Sequence, residues 1–122
     1  MSEKKRQALL IEDDKAVALV TRSMLEFLGY EVSCAEALQA GLQHLDDLDS
    51  LDVFVTDLSV AQGQIEEILK ECRQRQPSAR RLVTSGRRPT AIEATGAELK
   101  DVAFLLKPFD IRKLRGAIQR NP

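Results

Sequence analysis

Five short apolar runs punctuate the chain, at 8–11, 30–33, 53–57, 81–84 and 102–106. They are mostly unbroken rather than alternating, which is how strands buried on both faces of a parallel sheet read. The run Tyr30-Glu31-Val32-Ser33 is shorter and more polar, so it is assigned near an edge. Between the runs, apolar residues recur three or four positions apart, the period of a helix with one buried face. Asp14 is placed as the N-cap of a first helix to about Leu28, with Val17, Val20, Met24, Phe27 and Leu28 on one face and Gly29 in the C′ position. A second helix is predicted over 35–45, with Ala37, Leu38, Leu42 and Leu45 inward. A third, from 63 or 64 to 76, turns Ile65, Ile68, Leu69 and Cys72 inward and stops at Pro77. A short helix over 89–95 is broken by Gly96, and a last one over 111–120, capped by Asp110, buries Ile111, Leu114 and Ile118. Strand and helix alternate five times. That predicts an α/β doubly wound parallel sheet with right-handed crossovers and helices on both faces.

At 122 residues the chain is read as one domain, 1–122, with 1–6 as a solvated lead-in. The formal charge of −1 gives no footprint for nucleic acid or a membrane surface. No apolar run reaches a spanning length, and the start lacks the apolar core of a signal peptide, so a cytoplasmic location is expected. Cys34 and Cys72 have no metal-ligand spacing and are expected to be reduced, small packed residues. His44, the only histidine, is read as a helix-surface residue, since a zinc site or a Ser/His/Asp triad would need further partners. The acids at 46–49 read as a solvated connection, because no calcium-loop Gly and final Glu follow in register.

In a parallel sheet all strands end on one edge, which here gathers Glu12 and Asp13, Asp57, Ser85 and Lys107. Each alone has a plain reading: a turn cap for Asp57, helix-start acids for Glu12 and Asp13, ordinary loop pairs for Ser85-Gly86 and Lys107-Pro108. Together they form a coherent set. Carboxylates cannot crowd together ionised without a cation, and Mg²⁺ suits a few carboxylates, a carbonyl and waters. Asp13 and Asp57 are the expected direct ligands, and Glu12 is placed to hold a metal-bound water. A carboxylate can also be a nucleophile toward a phosphoryl group, with Lys107 pairing to that group and the Ser85 hydroxyl donating to another of its oxygens.

These residues resemble a response-regulator receiver domain of two-component signalling, over essentially the whole chain. The resemblance rests on Leu10-Ile11-Glu12-Asp13-Asp14, Thr56-Asp57, Thr84-Ser85-Gly86 and Phe104-Leu105-Leu106-Lys107-Pro108-Phe109. It implies a flavodoxin-like (βα)5 fold with sheet order 2-1-3-4-5, an arrangement for which a receiver is a standard example. It further implies that Asp57 accepts phosphate from a kinase phosphohistidine with Mg²⁺ as cofactor. Glu12 and Asp13 match the acidic pair, and the Ser59 carbonyl falls where the family supplies a backbone metal ligand. Ser85 is taken as the switch hydroxyl, with Thr84 as the alternative. Lys107 matches the family lysine, Phe104 the aromatic residue that swings inward, and Pro108 a proline whose preceding bond is usually cis. The Thr-Ser-Gly stretch is similar to receivers fused at the end of hybrid sensor kinases.

One stretch departs from the family pattern. The loop Leu58-Ser59-Val60-Ala61-Gln62-Gly63-Gln64-Ile65 has Ala61 where Pro is usual and Ile65 where Gly is usual, and Gly63 is expected to shift the turn. A differently shaped or more mobile loop follows, with phosphorylation lifetime depending on it. The expected partners are a sensor histidine kinase or phosphotransfer protein, and a downstream target on the face made by the helix over 89–95, the last strand and the last helix. Arg87, Arg88, Arg112, Lys113 and Arg115 lie on or beside that face, either as docking groups or as a solvated basic surface. A weak homodimer is also admitted. The chain is expected to be a signalling domain and not an enzyme. The competing reading is a degenerate receiver that binds partners without phosphorylation. An aspartyl-nucleophile phosphatase would want a second Asp where Ser59 stands, and a flavin module would want a phosphate loop where Glu12 and Asp13 stand.

Overall fold

The computed structural model describes residues 5–60, 64–86 and 101–119. Five parallel strands, β1 (Arg6–Ile11), β2 (Tyr30–Ala35), β3 (Val53–Asp57), β4 (Arg80–Ser85) and β5 (Val102–Leu106), lie side by side in the order β2-β1-β3-β4-β5. Among the described residues four helices cover them: α1 (Lys15–Phe27), α2 (Leu38–Asp47), α3 (Ile65–Arg75) and α4 (Ile111–Gln119). This is the doubly wound flavodoxin-like order that the resemblance implies. The helix predicted over 89–95, with Gly96, Arg87 and Arg88, lies outside the described residues, as do Ala61 and Gly63.

Strand alternation divides the core in two. Leu9, Ile11, Phe54 and Val83 point to one face, where Leu45 of α2 and Ile65, Ile68, Leu69 and Cys72 of α3 close over them. Ala8, Leu10, Val53, Val55 and Leu82 point to the other, under Leu25 of α1 and Leu114, Ala117 and Ile118 of α4. Gly41 lets α2 sit directly on the sheet, because a Cβ there would collide with the Ile11 side chain. Gly29, at φ +102°, ends α1 in the left-handed conformation that only glycine adopts without strain. The α3 termini suit the helix dipole, with Glu66 and Glu67 in the first turn and Arg73 and Arg75 in the last.

Several expectations are corrected. Arg6 belongs to β1, not to a lead-in; it pairs in register with Tyr30 and lays its guanidinium over that ring, 4.7 Å from the centroid. Ala35 closes β2, so α2 begins only at Leu38, and Ala37 is an exposed N-cap position. On α1 the buried residues are Thr21 and Leu25; of the predicted stripe Val17, Met24 and Leu28 are half-buried, the last two packed against the core, while Val20 and Phe27 are exposed, because the helix is apolar on more than one side. Cys34 lies in β2 and is exposed, because an edge strand has a neighbour on one side only. Cys72 is buried as expected, and burial pushes its thiol up to about 12 despite the nearby charge of Arg81. His44 sits half-buried on α2. Among the described residues no helix is long and apolar enough to cross a membrane.

Candidate functional site

All five residues of β3 are buried, because β1 and β4 flank the strand and helices cover both faces. Its last residue, Asp57, is therefore a carboxylate only 3% exposed at the tip of the central strand. On one side β1 runs out into Glu12, whose amide donates to the Ala35 carbonyl at 3.0 Å. That tie fixes Glu12, buried like Asp57, against the strand ends. Its Oε2 accepts from the Asp14 amide at 3.2 Å, and Asp14 in turn caps α1 by accepting from the Val17 amide at 3.1 Å. Asp13, between them, is exposed, and one oxygen each from Glu12, Asp13 and Asp57 come within 4.8 Å of one another. On the other side the Lys107 amide donates to the Ser85 carbonyl at 2.8 Å as β5 ends. This carries the Lys107 ammonium back over the edge, 2.5 Å from Asp57 Oδ1 and 2.7 Å from Glu12 Oε1.

Further donors complete the surroundings of Asp57. The Thr84 hydroxyl donates to Oδ1 at 3.4 Å. The Ser59 amide donates to Oδ2 at 3.0 Å, and the Ser59 hydroxyl donates to the same oxygen. Burial alone would push the Asp57 carboxyl up, but the hydrogen bonds from Lys107 and Ser59 outweigh it and hold the group below the usual carboxylate range. Burial would likewise lower the Lys107 ammonium, and its bonds to Asp57 and Glu12 reverse this and raise it. Both groups are thus charged at neutral pH.

The structure brings Glu12, Asp13, Asp57, Ser59 and Lys107 together as the sequence anticipates, and the Lys107-Pro108 bond is cis. It reverses the order of the two hydroxyls. Asp57 pairs in register with Thr84, and alternation puts Thr84 on the face of Leu82 with Ser85 on the face of Val83. Thr84, the alternative, is therefore the β4 hydroxyl that shares the face of Asp57 and donates to it; reading β4 as ending at 84 rather than Ser85 hid this. Phe104 is half-buried and packs against the face covered by α2 and α3. Ile65, at the position where Gly is usual, is the buried first residue of α3. The sequence reading missed the side chain of Ser59, having assigned only its carbonyl. The signal was present: an Asp often accepts from the backbone two residues on, and a hydroxyl there reaches the same oxygen.

Among the described residues the Lys107 ammonium pairs with two of these three carboxylates, and an array of oxygens with residual negative charge fits a hard dication such as Mg²⁺. Asp13, exposed at the mouth of the site, gives such an ion access.

A parallel sheet whose strand tips carry an acid cluster and a lysine on a buried Asp defines a receiver. Residues 8–119 match the family described as response regulator receiver domain, and the chain belongs to that family. It is 29% identical over 97% of its length to a probable transcriptional regulator, ycf27, of Cyanidium caldarium, and 26% identical over 93% to the photosynthetic apparatus regulatory protein RegA of Rhodobacter capsulatus. It spans only 47% and 61% of those two proteins. Among solved structures it is similar to a response regulator of Burkholderia pseudomallei with a phosphorylated aspartic acid, a calcium ion and citrate. The TM-score is 0.77 at 25% identity, covering 93% of this chain and 66% of that one. It is also similar to the receiver domain of the hybrid histidine kinase CckA, with TM-score 0.73 and 25% identity, covering 93% and 95%.

Proposed function

We propose that Asp57 accepts a phosphoryl group from a phosphohistidine on a sensor kinase or phosphotransfer protein, in the cytoplasm, and that this switches a surface for a downstream partner. The observation that carries the reading is the Asp57 carboxylate itself: buried, ionised, paired to Lys107 and beside two further acids. One Asp57 oxygen attacks phosphorus, the N–P bond breaks, and the departing imidazole takes its proton from solvent, leaving an acyl phosphate. The Lys107 ammonium turns from the carboxylate to pair with the incoming phosphoryl oxygens, and Thr84, rather than Ser85, donates to another of them. Glu12, Asp13, Asp57 and the Ser59 carbonyl would hold Mg²⁺, which when bound offsets the charge shared by carboxylate and phosphoryl oxygens. The phosphorylated aspartate and the calcium ion of the Burkholderia protein support both parts of this reading.

Thr84 and Lys107 then shift toward the phosphoryl group, and β5 and α4, with Arg112, Lys113 and Arg115, present a changed face. The chain acts as a signalling domain rather than turning over a substrate. The test is direct. Incubated with Mg²⁺ and a small phosphodonor such as acetyl phosphate or phosphoramidate, the protein should gain one phosphoryl group by intact mass, and Asp57→Asn should gain none. Absence of an adduct with either donor would leave a phosphorylation-independent interaction module in its place.

A further inference from the structure

Among the described residues, donors surround both oxygens of the Asp57 carboxylate. A carboxylate offers about four lone-pair positions. Asp57 meets four donors: the Lys107 ammonium and Thr84 hydroxyl on Oδ1, and the Ser59 amide and Ser59 hydroxyl on Oδ2. A divalent ion that binds Asp57 must therefore displace one of them. Approach at Oδ1 is opposed by the ammonium 2.5 Å away, since like charges at such range repel strongly even where screened. Oδ2 is the oxygen open to a cation. Of its two donors, the amide is part of the backbone turn that leaves β3, but the hydroxyl departs by a single side-chain rotation into water, because Ser59 is exposed.

We infer that the Ser59 hydroxyl is an internal competitor of Mg²⁺ for Asp57 Oδ2, and that it sets the Mg²⁺ concentration at which the site fills. The inference rests on the metal-dependent phosphoacceptor reading and deepens it. The hydroxyl donates to the same oxygen that the ion would take. On filling, that bond is surrendered, and its loss is subtracted from the affinity. Removing the hydroxyl leaves no cavity, as Ser59 is exposed, so Ser59→Ala isolates the competition from packing.

The measurement is Mg²⁺ affinity of the whole chain by titration calorimetry, repeated with Mn²⁺ by the loss of its free-ion paramagnetic signal. Ser59→Ala should bind either ion about tenfold more tightly than the wild type, the scale of one hydrogen bond to a charged group. Ser59→Thr, which keeps the hydroxyl, should stay within about threefold of the wild type on the same scale. Equal or weaker binding by Ser59→Ala overturns the inference and leaves the phosphoacceptor reading standing. Failure of the wild type and both variants to take up either ion overturns both.

Discussion

Replacing Lys107 with Met is the sharpest test of the electrostatics at the strand tips. The ammonium bridges Asp57 Oδ1 and Glu12 Oε1, two oxygens of side chains that are only 4% and 3% exposed. Without it, two buried carboxylates face each other within 4.8 Å. Coulomb's law at an effective dielectric of about 20 gives a repulsion of roughly 3 kcal/mol at that separation. Loss of one partner from a buried ion pair has a similar scale, about 3–5 kcal/mol. The variant should thus be about 3 kcal/mol less stable than the wild type at pH 7 without divalent ions.

The pH dependence separates this cause from lost packing. In the wild type the Asp57 carboxyl is held below its ordinary value, so its contribution is present above the unfolded value and is lost only as pH falls through the depressed one. The Lys107 ammonium is raised, so its contribution is complete below the unfolded value and is lost only as pH rises through the raised one. Neither changes between pH 7 and about 4.5. In Lys107→Met the sign at the carboxylates reverses: repulsion raises one of them, and protonation relieves the variant as pH falls. Urea unfolding followed by circular dichroism should show the deficit at least halved at about pH 4.5, and Mg²⁺ at pH 7 should recover much of it. A deficit that is the same at both pH values, or indifferent to Mg²⁺, would refute the reasoning.

Other consequences are equally open to measurement. Thr84→Ala should lower the yield or lifetime of the Asp57 phosphoryl adduct severalfold in a mass-spectrometric time course, whereas Ser85→Ala should change it far less, because only Thr84 shares the face of Asp57. Gly41→Val should destabilise the fold by about 2 kcal/mol in urea titration, since its side chain overlaps Ile11, and Gly41→Ala by less, since the helix gains propensity. A maleimide should modify Cys34 in the native protein, slowly at neutral pH because partial desolvation raises its thiol, while Cys72 should react only on unfolding.

The fold was legible because its inner strands carry mostly unbroken apolar runs. Val53 to Val55 cannot lie on a half-wet sheet, and the inner face of α3 (Ile65, Ile68, Leu69, Cys72) is unambiguous in spacing and buried as read. The acids and Lys107 were legible because a parallel sheet brings all its strand tips to one edge whatever the loops do. What was not legible depends on single-residue register. A strand end misplaced by one position exchanges Thr84 for Ser85, because side-chain period in a strand is two. The buried stripe of α1 was obscured by apolar residues on several sides and by Thr21, whose polarity argues against the burial it has. Edge exposure of Cys34 follows from neighbour count, which no local pattern records.

The burial of β3 on every side has a mechanical consequence. A strand locked between two others and under two helical layers should exchange its amides with solvent only on global opening. On the proposed function the Asp57 backbone is thus a stationary reference point, held in place while a bulky charged group is attached to its side chain. Any displacement that reports the event must arise in the lighter fittings around it, the Thr84 and Lys107 strand ends and the turn at Ser59. The transmitted motion is therefore one of neighbours adjusting to a fixed post.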